Sequence, residues 1–259
     1  MDTARRTPLW LWINLLSLDA PLVALAWQDL LARCYPAVLL PQGRFVLGLT
    51  VWAIYVADRL LDTRRPLADP RDAEHQAPRH NFYRRHRLPM AILLAAILIA
   101  DLSVAIRWIQ PGVVAAGAMV FLATGSYLFV FALRGNPQVV WKKSAAAILF
   151  AAGVFVIEFA RLPQPLRTLF WPAVAFALLC KGNLVMIEHW ERNWNTAIVW
   201  ISLLLFALLC LVAGRSAWYL AIALSAVGLA ALGFNSARLT PDARRVLADV
   251  VLMVPFLIR

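Results

Sequence analysis

Asp58-Arg59-Leu60-Leu61-Asp62 is the stretch of this 259-residue chain whose residue types and spacing could do chemistry. Two aspartates four apart on a helix sit about 40° from each other around the axis, so both carboxylates look the same way. The residues before them, Val51 to Ala57, are compatible with lipid, which puts the pair at the end of a membrane helix. Carboxylates near a membrane interface are costly unless something offsets them. A pair at this spacing could hold one or two Mg²⁺ ions, and Mg²⁺ in turn holds phosphate. The plainer reading is a helix end at which Asp58 and Asp62 pair with Arg59, Arg64 or Arg65.

Three further sets of polar residues bear on that choice. Lys181, Asn183, Glu188 and Glu191 lie within one apolar run. Lys181 and Glu188, seven apart, are nearly eclipsed on one helix face, and Glu191 is one turn further on. Such a stripe is read either as a second acidic wall, with Asn183 and Lys181 as polar lining, or as an internal ion pair that stabilises packing. Lys142 and Lys143, with the arginines of the run Arg79 to Arg87, form a cationic set. A diphosphate brings about three negative charges, and Lys or Arg clamps complete such a site. Topology and headgroup contact account for most of those arginines. The third set lies inside apolar runs: Asn14, Asp19, Gln28, Asp101, Tyr127, Glu158 and Asp249. Asp19 is expected to look inward and Asp249 to pair with Arg245 one turn earlier. His189 has no ligand partner in the sequence, and Cys34, Cys180 and Cys210 have no spacing for zinc or a disulfide framework.

The elements that must position these residues are membrane helices. Hydrophobic residues make up 62% of the chain and the mean hydropathy is +0.71, which excludes an ordinary soluble domain. Apolar runs at approximately 12–33, 45–63, 88–106, 111–133, 143–160, 169–190, 195–213, 217–234 and 241–258 predict about nine spans. They form an all-α polytopic membrane bundle, a single integral membrane domain over 1–259. With nine spans, 17 basic residues fall on the side of the N-terminus and seven on the other, leaving Lys181 inside span six. That bias predicts a cytoplasmic N-terminus, and the expected setting is a bacterial inner membrane. The same topology gathers Asp58, Asp62, Lys142, Lys143, Glu188, Glu191, Arg244 and Arg245 on the cytoplasmic face. The net charge of +11 is read as topology-setting charge and lipid contact, not nucleic-acid binding.

Asp58-Arg59-x-x-Asp62 at the end of the second of nine spans resembles the second half of the first acidic motif of UbiA-type intramembrane prenyltransferases, Asn-Asp-x-x-Asp-x-x-x-Asp. The arginine-rich loop that follows is similar, as is Tyr127 followed by Arg134, Pro137-Gln138 and the Lys142/Lys143 pair. Two departures stand out. Ile54 and Tyr55 occupy the family's Asn and first Asp positions, and Glu188/Glu191 replaces a second DxxxD motif. The resemblance implies Mg²⁺-dependent transfer of an isoprenyl group from a prenyl diphosphate to a hydrophobic acceptor, aromatic or lipid. It assigns Asp58, Asp62 and Lys142 to catalysis, and Arg59, Lys143, Asn183, Glu188 and Tyr127 to substrate. Asp58, Asp62 and Glu191 would be the metal ligands, reduced here to a single ion. Rival readings are a repurposed, non-catalytic member of the fold that binds an isoprenoid or lipid, and a small transporter.

Overall fold

The computed structural model describes residues 8–35, 40–63, 78–134 and 141–258. The described residues are helical, with no strand among them. In chain order the helices are α1 (Leu9–Leu15), α2 (Asp19–Cys34), α3 (Pro41–Asp62), α4 (Pro78–Arg85), α5 (Arg87–Trp108), α6 (Pro111–Arg134), α7 (Trp141–Arg161), α8 (Pro165–Glu191), α9 (Ala197–Ala213), α10 (Ala217–Phe234) and α11 (Pro241–Val251). Short 3₁₀ turns follow α10 at Ser236–Arg238 and α11 at Val254–Leu257. Proline opens α3, α4, α6, α8 and α11, where its missing N–H costs nothing and its fixed φ suits the first turn. Thr240 caps α11 as its sequence predicts, its Oγ1 accepting from the Ala243 N–H at 3.3 Å.

Two expected spans take a different form. The run 12–33 is broken between α1 and α2, where Ser17 adopts φ 55°. The Leu18 N–H bonds the Ile13 carbonyl and the Ser17 N–H bonds the Asn14 carbonyl, the paired bonds of a Schellman stop. Glycine usually fills the left-handed position there. Here Ser17 holds it, and its hydroxyl meets the Tyr83 hydroxyl at 3.1 Å. The Asn14 side chain bridges the break by donating to Asp19 at 2.7 Å. The run 241–258 is an 11-residue helix followed by the 3₁₀ turn. Pro255 has no N–H with which to continue the α-helix. The carbonyls left over at that end are taken by side chains: Val251 by Ser225, Leu252 by Trp27, and Pro255 and Ile258 by Arg33.

The core lies where α2, α7, α8 and α10 meet. Trp27 packs on Phe176 at 4.6 Å and edge-on to Trp218 at 5.1 Å between ring centroids, and Phe155 meets Trp218 at 5.3 Å. All four are buried. Both indole N–H groups are satisfied by backbone, Trp27 by Leu252 and Trp218 by Pro172, as buried tryptophans require. Around this core α3 packs on α2, α5 and α6, while α9 packs on α10 and α8. The α8–α9 approach is close at Gly182, where an added Cβ would lie 2.8 Å from Leu203 Cδ2.

Apolar side chains also cover the outside. Five helices, α5, α6 through Val130, α7, α8 and α10, are long and apolar enough to cross a membrane. In α5 only 11% of the most apolar window is buried. Ile106 (69% exposed) and Leu205 (63%) stand on outer faces of α5 and α9. A continuous apolar exterior of this extent belongs in lipid. The chain is an integral membrane protein built as a helical bundle.

Candidate functional site

One end of the bundle collects the polar residues, and direct contacts tie its helices together. The Tyr127 hydroxyl of α6 donates to the Lys142 carbonyl at the start of α7 (3.3 Å). Lys143 Nζ meets Glu188 Oε2, near the end of α8, at 2.6 Å. Glu191, the last residue of α8, meets Arg245 Nη2 of α11 at 2.9 Å. Tyr127 also lies within electrostatic reach of Asp58 and Asp62. The C-terminal ends of α3, α6 and α8 therefore share a face with the N-terminal ends of α7 and α11.

At the end of α3 the two carboxylates flank the Arg59 guanidinium. Arg59 Nη1 is 3.8 Å from Asp58 Oδ2 and 3.8 Å from Asp62 Oδ2. These distances are too long for hydrogen bonds, so the attraction is between whole charges. Asp58 is 40% exposed, whereas the Arg59 side chain is 17% exposed and its Nε is buried without a partner among the described residues. Arg59 also feels Asp19 and Tyr55 electrostatically, and Tyr83 feels Arg59 and Asp19. The middle residue of the motif is thus largely buried, within electrostatic reach of Asp19, Tyr55 and Tyr83 as well as of the two aspartates. Burial raises the Tyr83 phenol above its ordinary value, so it stays protonated beside Ser17.

At the end of α8 the acids sit in shorter ion pairs. Glu188 bonds Lys143 through one oxygen and Arg192 Nε through the other, at 3.2 Å. Arg245 bonds Glu191 with Nε and Nη2, and its Nη1 reaches Asp242 at 3.3 Å. Lys181, expected on the Glu188 stripe as polar lining, is instead exposed. Two helical turns separate it from Glu188, and a cation from the neighbouring helix is nearer. Asn183 is buried, and its Oδ1 has no partner among the described residues. Arg64 and Arg65 lie outside the described residues.

The fit to Mg²⁺ differs between the two ends. Among the described residues no group of three or more His, Cys, Asp or Glu side chains converges to hold a metal. Mg²⁺ does not require such a cage, since it is commonly held by one or two carboxylates together with substrate phosphates. Asp58 and Asp62 have that character: two acids one helical turn apart on α3, with Asp58 40% exposed. Glu191 does not, because Arg245 already holds it.

Sequence reasoning missed Ser17, Tyr83 and Arg192. Tyr83 had a signal in Phe82-Tyr83, an aromatic pair inside a basic run, which marks one apolar face of a short helix. Comparison of the chain with family models, with curated proteins and with solved structures gave no match.

Proposed function

We propose that this chain is a UbiA-like membrane prenyltransferase that moves an isoprenyl group from a prenyl diphosphate to a hydrophobic acceptor, with nine membrane-crossing segments and the Asp58 face toward the cytoplasm. The observation that carries this reading is that Tyr127, which bonds the Lys142 carbonyl, lies within electrostatic reach of the Asp58-Arg59-x-x-Asp62 stretch at one end of an apolar bundle. Asp58 and Asp62 would hold Mg²⁺, which when bound supplies charge neutralisation to the diphosphate. Lys142 stands at the head of α7 beside the Tyr127 contact, where an ammonium can take up charge on the leaving group. In the transfer the allylic C–O bond breaks and its electron pair leaves on diphosphate. The acceptor supplies the pair for the new bond and gives up a proton to the departing diphosphate. The apolar bundle keeps the allylic cation from water.

The test is to incubate purified protein with labelled prenyl diphosphates, Mg²⁺ and membrane extract. Labelled lipid product should form with the wild-type chain and not with Asp58→Asn. Equal product from a correctly folded Asp58→Asn would sink the proposal. A second reading, a repurposed member that binds the isoprenoid without turnover, is favoured by Ile54 and Tyr55 at the lost ligand positions. Saturable prenyl diphosphate binding with no product would select it.

A further inference from the structure

A cavity opens on the same end of the bundle, lined by neither Asp58 nor Asp62. It measures about 240 Å³ and lies between the α8–α9 connection and the turn that follows α10. That is below the roughly 300 Å³ at which pockets for drug-sized ligands begin, and suits a headgroup better than a whole organic ligand. Arg244 and His189 line it, and among the described residues no acid does. The Arg244 Nε donates to the Leu239 carbonyl at 3.1 Å, which fixes the guanidinium at the wall. Asn195 Oδ1 is taken by the Ala197 N–H, leaving the amide hydrogens of that side chain as donors. Ser236 and Asn193 add further polar groups. Asn193 holds φ 52° in a Schellman stop that turns the chain out of α8.

Three observations select the kind of ligand. First, Trp190 lines the cavity, is 7% exposed, and its indole N–H has no partner among the described residues. A buried indole N–H usually has one. Second, α9 begins at the cavity, and the positive end of a helix dipole favours an anion. Third, the cavity sits where apolar helices end. Trp194 is half exposed there with the Arg192 guanidinium 4.8 Å above its ring, the pairing of aromatic and cation found at headgroup depth.

We infer that this cavity binds a phosphate-bearing anion at the membrane surface, with Arg244 as the charged anchor and Asn193, Asn195 and Ser236 as neutral donors. A lipid headgroup and free phosphate offer the same chemistry, and the two are separable. Detergent-purified protein is titrated with phosphatidylglycerol or phosphatidylcholine and its lipid adducts are counted by native mass spectrometry. Parallel thermal melts are run in inorganic phosphate and in chloride at equal ionic strength.

One phosphatidylglycerol should be retained in preference to phosphatidylcholine. Arg244→Gln should weaken that retention about fivefold, the weight of one basic residue at an anionic surface, while Arg244→Lys keeps most of it. Ala237→Leu, on the exposed cavity rim, should weaken it by filling space without touching the Arg244 anchor. Stabilisation by inorganic phosphate that Arg244→Gln removes, with no preference between the lipids, assigns the site to the free anion. Equal retention of both lipids, no response to phosphate and no effect of either variant overturns the inference. Asp58→Asn should bind phosphatidylglycerol like the wild-type chain, so this site and the diphosphate reading fail separately.

Discussion

The ends of α3 and α8 lie at the same end of the bundle and hold their acids differently. At the end of α3, two carboxylates share one guanidinium at 3.8 Å. At the end of α8, Glu188 has Lys143 and Arg192, and Glu191 has Arg245, at 2.6 to 3.2 Å. The contacts around Arg59 are long, and those at α8 are short enough for hydrogen bonds. Carboxylates at a membrane boundary are costly without an offset, so the exposed edge of Asp58 is where an arriving cation would be met. The short ion pairs at α8 hold helices together, joining α7, α8 and α11.

Breaking the comparison should give graded effects. Asp58→Asn with Asp62→Asn should lower Mg²⁺-dependent diphosphate binding by at least about a hundredfold, since even outer-shell losses at metal sites cost about 10–100-fold. Calorimetric titration of the purified protein reads this directly. Arg59→Gln should act in the opposite direction. Removing the shared guanidinium should tighten Mg²⁺ binding at least about tenfold, because a cation beside a carboxylate shifts its proton affinity by about 1–3 units. Weaker Mg²⁺ binding in that variant would mean that Arg59 organises the acids instead of competing for them.

At the other end the readout is stability. Glu188→Gln leaves Lys143 and Arg192 facing each other without their shared anion. It should cost about 1 kcal/mol, or about 2–4 °C in Tm, with Mg²⁺ binding unchanged. A Glu188→Gln protein that melts normally and loses Mg²⁺ would move the metal to α8. The smallest effect belongs to Tyr127→Phe. Its hydrogen bond to Lys142 is long at 3.3 Å, so the variant should lose less than about 1 kcal/mol of stability in the same melt.

The sequence showed the helices well where prolines and charge bounded them. The expected spans at 88–106, 111–133 and 217–234 correspond to α5, α6 and α10. It did not show the stop at Ser17, because a left-handed serine leaves no glycine signal and depends on Tyr83 from 66 residues away. The split of 241–258 was hidden for a related reason. Pro255 marks the break, but carbonyls at that end are capped by Trp27, Arg33 and Ser225 from other helices. In the candidate site, the spacing of Asp58 and Asp62 gave their common face. Spacing along α8 could not show that Glu188 would turn to Lys143 and leave Lys181 outside, because choice of partner is a tertiary property.

The bond from Trp27 to the Leu252 carbonyl spans 225 residues, and it sets an order of events during synthesis. At about 5–20 residues per second, the partner of the Trp27 indole is made roughly 10–45 s after the tryptophan itself. Through that interval α2 already carries Asp19, Gln28 and Trp27, and the carbonyl that will close its core has not yet been translated. Residues 251–258 then act as a latch on α2, through Trp27 and Arg33.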